Sequence, residues 1–184
     1  RRQRQMCKET DGSCIRLRPE RLNHVWSYDF VEARTHDGRK FRMLNLIDEF
    51  TRECLAIRVS RKLNSTDVID VLSDQFILRG VPGHIRSDNG PEFIAHALAD
   101  WAKTRGIALN HIQPGKPTQN AYVERFNRTY RTEVLDCYVF DSLQEVRDMT
   151  ADWLHRYNHQ RPHEALGSIP PVEYRVTKFP NLYF

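Results

Sequence analysis

The chain has 184 residues, of which 40% are hydrophobic, and this is enough for one domain with a buried core. It contains neither a signal-peptide pattern nor an apolar run of about 18 to 20 residues, so we expect a cytoplasmic protein without membrane association. The net charge is +4, and residues 1–21 hold seven basic and three acidic side chains, as in a solvated linker or a basic leader that contacts phosphate groups. The four cysteines form no Cys-x-x-Cys pair, so neither a disulfide framework nor a zinc knuckle is indicated.

The first half of the chain predicts three antiparallel strands. Residues 25–31 are rich in aromatic and β-branched side chains, as in a strand, and Asp29 lies inside this run. An Asp-Gly turn at residues 36–39 joins it to a strand at 41–47, and a third strand follows at 54–59. A carboxylate buried in a strand without a partner costs several kcal/mol. Asp29 is therefore expected to be paired or bound to a metal ion.

The second half alternates helices with short strands. The predicted elements are a helix from the Asn64 cap to Gly80, a strand at 84–86, a helix at 91–106, a strand at 107–112, a helix from 118 or 119 to about 133, and a helix from the Ser142 cap to about 158. Strands that alternate with helices indicate a parallel portion of the sheet. Joined to the first three strands, this predicts an α/β fold with a mixed five-stranded sheet flanked by helices.

The stretch Ser87-Asp88-Asn89-Gly90-Pro91-Glu92-Phe93 connects the short strand at 84–86 to the next helix. Asn-Gly favours a sharp turn, and proline is common at the first position of a helix. Asp88 is therefore expected where a strand ends, on a strand that can neighbour that of Asp29. By itself the segment fits equally a turn with a capping acid and a site that presents a carboxylate to a cleft.

The third predicted helix has one apolar and one polar face. At about 100° per residue, Tyr122, Phe126 and Tyr130 lie on the apolar face. The polar face carries one acid surrounded by amides and arginines, namely Glu124 with Asn120, Asn127, Arg128 and Arg131. Such a face is typical either of a solvated helix surface or of a metal-binding acid with neighbours that contact phosphate.

Three acidic motifs together resemble those of one family. They are Trp26-Ser-Tyr-Asp29-Phe, Ser-Asp88-Asn-Gly-Pro-Glu-Phe and Gln119-Asn-Ala-Tyr-Val-Glu124-Arg-Phe-Asn, with 35 residues between Asp88 and Glu124. They are similar to the acidic triad of the DDE transposase and retroviral integrase superfamily. Two further segments resemble those of bacterial insertion-sequence transposases, namely Ile47-Asp48-Glu49-Phe50-Thr51-Arg52 and Tyr157-Asn158-x-x-Arg161-Pro162-His163-x-x-Leu166 followed by Pro170-Pro171-x-x-Tyr174.

The resemblance covers about residues 22–175 and implies an RNase H-like catalytic core, with residues 1–21 as leader and 176–184 as C-terminal tail. It implies that Asp29, Asp88 and Glu124 are catalytic and hold two Mg²⁺ or Mn²⁺ ions. The implied reaction is cleavage of DNA at the transposon ends and attack of the freed 3′-hydroxyl on target DNA. The implied protein is a homo-oligomer in its active complex and is associated with the bacterial nucleoid.

By the same resemblance, DNA contacts are expected at five positions: Lys116, Gln119, Asn120, Arg128 and Arg131. Glu92 is interpreted as a supporting acid near the start of its helix, and Asp48 and Glu49 as structural acids. Two other functions stay open at this point. The first is an RNase H-like nuclease that only hydrolyses nucleic acid, and the second is a non-catalytic DNA-binding domain derived from a transposase.

Overall fold

The computed structural model describes residues 17–88, 92–111 and 120–180. The strands are β1 (Val25–Arg34), β2 (Lys40–Asp48), β3 (Cys54–Ser60), β4 (His84–Ser87) and β5 (Ala108–His111). The helices are α1 (Ser65–Arg79), α2 (Glu92–Thr104), α3 (Ala121–Tyr130), α4 (Leu143–His159) and α5 (Pro171–Lys178). None of the helices in these ranges is long and apolar enough to cross a membrane.

The five strands form one mixed sheet in the order β3-β2-β1-β4-β5. The first three strands pair antiparallel, and β1 and β2 are joined by the predicted turn at residues 36–39. Strands β4 and β5 are added in parallel on the other side of β1. The predicted mixed five-stranded sheet is therefore confirmed, and β1 lies at its centre.

Two hydrophobic cores cover the two faces of the sheet, because successive strand residues point to opposite faces. On one face, Val31 and Met43 belong to a cluster with residues of α3 and α4, including Phe126 and Trp153. On the other face, strand residues such as Leu44 pack with residues of α1 and α2. Helix α3 thus lies over the centre of the sheet, on the face to which the odd-numbered residues of β1 point.

Two helices begin with capping boxes, in which the side chain and backbone of the cap exchange hydrogen bonds with the third helical residue. Asn64 and Asp67 form the box of α1, and Ser142 and Glu145 form that of α4. Helix α1 ends at Gly80, whose φ of 88° suits a residue without a β-carbon. These ends agree with the sequence-based predictions.

Two helical features differ from the predictions. Helix α3 ends at Tyr130 and continues as a π-helical turn over Arg131–Leu135, where a single α-helix to about residue 133 was expected. The helix Pro171–Lys178 was not predicted, although Pro171 at its first turn is a favourable start. Only eight residues long, it packs the ring of Tyr174 against that of Phe50, so tertiary contact supplies the stability that its length cannot.

Candidate active site

Asp29 lies in the middle of β1, and Asp88 directly follows the last residue of β4. In this parallel pair Ser27 is level with Arg86, and the same register continued for two residues places Asp29 level with Asp88. Adjacent strands lie about 4.8 Å apart, so the two acids occupy neighbouring positions. Both also act on Tyr28, whose pKa is raised to about 12 by burial and further by the charges of Asp88 and Asp29.

Glu124 approaches the same place from α3, where it lies in the first turn. The pKa of Asp29 is raised from 3.8 to about 6, chiefly by burial and in addition by the negative charges of Asp88 and Glu124. The fold therefore brings the three acids, which lie far apart in the sequence, within electrostatic reach of one another. A carboxyl held at such a pKa is destabilised in its charged form and would be relieved by a cation.

Two asparagines hold the Asp29 side chain in place. Asn127, one turn after Glu124, donates its amide to Asp29 Oδ2 over 2.8 Å, and its own Oδ1 accepts a 2.7 Å hydrogen bond from Asn45 Nδ2. Asn45 is the residue directly opposite Asp29 on β2. The backbone amide of Phe30 donates to the other oxygen, Asp29 Oδ1, over 2.8 Å. Both carboxylate oxygens of Asp29 are thereby oriented by the fold.

The chain of hydrogen bonds from Asn45 through Asn127 to Asp29, here called the asparagine relay, was not predicted from the sequence. The helical wheel placed Asn127 on the polar face of α3, but its side chain is buried, 9% exposed, against the sheet. A signal was available in β2, where Asn45 is an isolated amide among apolar neighbours and is fully buried. A buried amide requires a hydrogen-bonding partner, so Asn45 could have been expected to meet a polar group of an overlying helix.

A divalent cation requires several oxygen ligands gathered at one place. Within residues 17–88, 92–111 and 120–180, no group of three or more His, Cys, Asp and Glu side chains is gathered closely enough to hold a metal ion. Carboxylate oxygens are nevertheless the ligands that Mg²⁺ and Mn²⁺ prefer. The three acids fit such ions in charge and in donor type, although they do not form a closed coordination shell.

The residues expected to contact DNA occupy different environments. Arg128 is exposed on α3. Arg131 is exposed as well, but it donates to the carbonyl of Glu32 over 2.9 Å. Asn120, which the helical wheel placed on the polar face with Glu124, is only 1% exposed.

The other two predicted contacts, Lys116 and Gln119, lie outside the described residues. The same is true of the Asn-Gly-Pro turn after Asp88. The side chain of Glu92 is also outside the description, although Glu92 is the first residue of α2. The expectations for these positions therefore stay predictions.

The two acids interpreted as structural have the contacts that this interpretation requires. Asp48 is fully buried and accepts hydrogen bonds from the backbone amides of Asn23, Phe50 and Thr51. Glu49 is equally buried, and both of its oxygens accept 2.7 Å hydrogen bonds from Arg86. Arg86 lies in β4 just before Asp88, so this buried ion pair ties the strand of Asp88 to the turn between β2 and β3.

A sheet of this order, with acids on two adjacent central strands and on the helix above them, defines the class of integrase and transposase catalytic cores. Two family models, both described as integrase core domain, match residues 19–117 and 105–171. The chain belongs to the integrase core domain family, within the DDE transposase and integrase superfamily. The family membership expected from the motifs is thus confirmed.

The chain is similar to proteins of bacterial insertion elements. It is 39% identical, over 94% of its length, to an uncharacterized 39.2 kDa protein of insertion element IS476 from Xanthomonas euvesicatoria. It is 42% identical, over 85% of its length, to an uncharacterized 31.7 kDa protein of insertion element IS407 from Burkholderia multivorans. The matched parts are 50% and 56% of those proteins, so the chain spans about half the length of these curated relatives.

Solved integrase cores share the fold. The HTLV-2 integrase catalytic core domain in complex with magnesium is 18% identical, with a TM-score of 0.61 that covers 85% of this chain and 98% of that one. The catalytic core domain of BIV integrase is 22% identical, with a TM-score of 0.56 and coverage of 88% and 99%. These likenesses confirm the predicted RNase H-like fold.

Proposed function

We propose that the chain is the catalytic core of a transposase that cleaves DNA at the ends of a mobile element and joins the freed 3′-hydroxyl ends to target DNA. The observation that carries this proposal is the convergence of Asp29, Asp88 and Glu124 at the centre of an integrase core fold. The raised pKa of Asp29 supports it, because acids that repel one another destabilise the fold but favour the binding of a cation.

The three carboxylates would hold two Mg²⁺ or Mn²⁺ ions, which activate the attacking oxygen and stabilise the leaving oxygen in such sites. The task of the protein is then to orient the acids. The amide of Asn127 and the backbone amide of Phe30 fix the two oxygens of Asp29, so its side chain does not have to be ordered during the reaction. The attacking oxygen belongs first to water and then to the DNA 3′-hydroxyl, so no bond to the protein forms.

DNA is the proposed substrate and partner. Arg128 lies one turn beyond Glu124 on α3, and Arg131 begins the π-helical turn that follows it. Both are exposed, so a DNA backbone held at Glu124 would pass their guanidinium groups. We propose that Lys116, Gln119 and Asn120 contribute from the start of the helix. The HTLV-2 integrase core is described in dimeric and trimeric forms, and a homo-oligomer is proposed here because two DNA ends must be joined in one event.

Strand transfer provides the test. The chain is incubated with Mn²⁺, a labelled duplex that carries the terminal sequence of the encoding element, and a plasmid, and joined products are measured. Asp88→Asn and Glu124→Gln are expected to abolish both cleavage and joining without lowering the thermal unfolding midpoint. Asp100→Asn, which removes an exposed acid of α2, is the matched control and is expected to behave as the wild type.

Each alternative has its own outcome. Cleavage without joined product would support a nuclease that only hydrolyses DNA. DNA binding without any Mn²⁺-dependent activity would support a non-catalytic DNA-binding domain. Full activity of Asp88→Asn or Glu124→Gln would refute the assignment of the site.

A further inference from the structure

A polar cavity lies on the flank of α3 that faces away from Glu124. It has a volume of about 600 Å³ and is bounded by the turn between β2 and β3, the start of α3, helix α5 and the segment before β1. The residues that matter for its chemistry are Arg18, Phe50, Arg52, Tyr122 and Tyr174. Neither the proposed reaction nor the predicted DNA contacts make use of this cavity.

The lining of the cavity is basic and aromatic. Among the residues that the structure describes, the lining includes two arginines, Arg18 and Arg52, and no acidic residue. Among the ion pairs of the described residues, none involves Arg18 or Arg52. Two positive charges that face an open cavity without carboxylate partners are matched to an anionic ligand.

The fold holds Arg52 in a fixed position. Its guanidinium lies 3.5 Å from the ring centre of Tyr122, and one of its Nη atoms donates to the backbone carbonyl of Glu49. Stacking occupies the face of a guanidinium and leaves its in-plane N–H groups available at the edge. Arg52 is therefore oriented in advance for an acceptor, with little side-chain entropy left to lose on binding.

The backbone conformation of Arg52 also supports an anion-binding role for its side chain. Its φ is 62°, a left-handed conformation that glycine or asparagine would adopt with less strain. An arginine at such a position is an unfavourable choice for the turn alone. Its side chain is the feature that explains the choice, through the stack on Tyr122 and the charge that it brings to the cavity.

The positive potential extends beyond the cavity. His163, which lies just before its Ala165 and Leu166 wall, has a pKa lowered to about 4, first by burial and then by the charges of Arg161, Arg52 and Arg125. This histidine is therefore neutral at physiological pH, and the positive charge of the region comes from its arginines.

We propose that this cavity binds a backbone phosphate of duplex DNA, as a contact separate from the catalytic face of α3. The proposal rests on the proposed function, since it assigns a second DNA contact to the same protein. Tyr122 and Glu124 are two residues apart and lie about 160° from each other around the helix. The two flanks of a helix are about 10 to 12 Å apart, and duplex DNA carries one charge per about 1.7 Å of its axis. The cavity would therefore contact a phosphate other than those held at Glu124.

The salt dependence of DNA binding tests this proposal. The affinity of the 184-residue chain for a labelled 20-base-pair duplex is measured by fluorescence anisotropy over a series of salt concentrations. Arg18→Gln and Arg52→Gln are each expected to weaken binding and to reduce the slope of log affinity against log salt by up to about 1, because both arginines contribute to the contact with one phosphate. Arg105→Gln is the matched control, since Arg105 also stacks on an aromatic ring, that of Trp101 at 4.6 Å, but lies outside the cavity.

Arg52→Gln could affect folding through the lost stack, so its thermal midpoint is measured in parallel. Arg18→Gln, at an exposed side chain, provides the independent variant. Slopes for both variants equal to those of the wild type and of Arg105→Gln would overturn the proposal, as would a wild type that does not bind the duplex. ATP binding that is lost in Arg52→Gln, with duplex binding unaffected, would assign the cavity to a nucleotide and overturn it as well.

Failure of the cavity proposal is distinguishable from failure of the proposed function. Strand transfer that remains at the wild-type level in Arg18→Gln and Arg52→Gln, with unchanged salt slopes, would refute only the cavity. Reduced salt slopes in a chain that neither cleaves nor joins DNA would refute only the catalytic function.

Discussion

Replacing Asp29 by asparagine tests whether the acidic cluster is strained without a cation. The substitution removes one charge and keeps the shape of the side chain. It also preserves the relay, because the side-chain amides of Asn127 and Asn45 can both rotate by about 180°. Asn127 then accepts a hydrogen bond from the amide introduced at position 29 and donates one to Asn45. The main change is therefore the loss of a buried negative charge.

The magnitude follows from the pKa of Asp29. A rise from 3.8 to about 6 corresponds to about 3 kcal/mol at 1.36 kcal/mol per pH unit. Because the pKa is raised in the folded state, the protonated carboxyl stabilises the fold below about pH 4, and this contribution is lost as the pH rises through about 6. Relative to the wild type, Asp29→Asn should therefore gain up to about 3 kcal/mol between pH 4 and pH 8.

Urea unfolding at pH 4, 6 and 8 in the presence of a chelator measures this difference. Adding Mn²⁺ at pH 8 should cancel most of this difference, since an ion at 100 times its Kd stabilises the wild type by about 2.7 kcal/mol and the variant has lost a ligand. A difference between the two proteins that does not change with pH would refute the reasoning, because it would mean that the charge of Asp29 is not strained. A pH-dependent gain in the stability of Asp29→Asn without any effect of Mn²⁺ would support the strain at Asp29 but refute the cation site.

Two further substitutions test how the site is supported. Asn127→Leu removes a buried hydrogen bond to Asp29 and is expected to lower the unfolding free energy, measured in urea, by about 1 to 3 kcal/mol. It is also expected to weaken Mn²⁺ binding, measured by calorimetry. An unchanged Mn²⁺ affinity would contradict an orienting role for Asn127. Glu49→Gln leaves the buried Arg86 without a carboxylate and is expected to destabilise the fold by about 3 to 5 kcal/mol. Asp152→Asn, which breaks an exposed pair on α4, should lower the unfolding free energy by less than about 1 kcal/mol, and equal effects of the two would refute the structural role of the buried pair.

The order of elements was predictable because local signals agree with the tertiary structure. The caps at Asn64 and Ser142, the Asp-Gly turn at 36–39 and the apolar periodicities all act within a few residues. Helix α5 was missed because its eight residues are stabilised by contacts with the turn between β2 and β3. The sequence around Pro171 does not contain that information.

The candidate site divides in the same way. Asp29, Asp88 and Glu124 stand out in the sequence because each lies in a recognisable motif at a typical spacing. The environment of these acids cannot be predicted from the sequence, because the burial of Asp29 and the relay through Asn127 depend on how α3 is rotated over the sheet. A helical wheel gives the faces of α3 but does not show which edge of the apolar face packs against β2. Asn127, which accepts a hydrogen bond from Asn45 of β2, lies at that edge.

The sequence by itself determined the family and the mixed sheet and predicted the three acids of the site, because motif spacing and periodicity are properties of the chain. Only the tertiary structure decided how those acids are held and which residues line the cavity beside Tyr122. The ion pair of Glu49 with Arg86 and the stack of Arg52 on Tyr122 join residues that are 37 and 70 positions apart. Such contacts arise from the packing of separate elements, and local sequence patterns do not encode them.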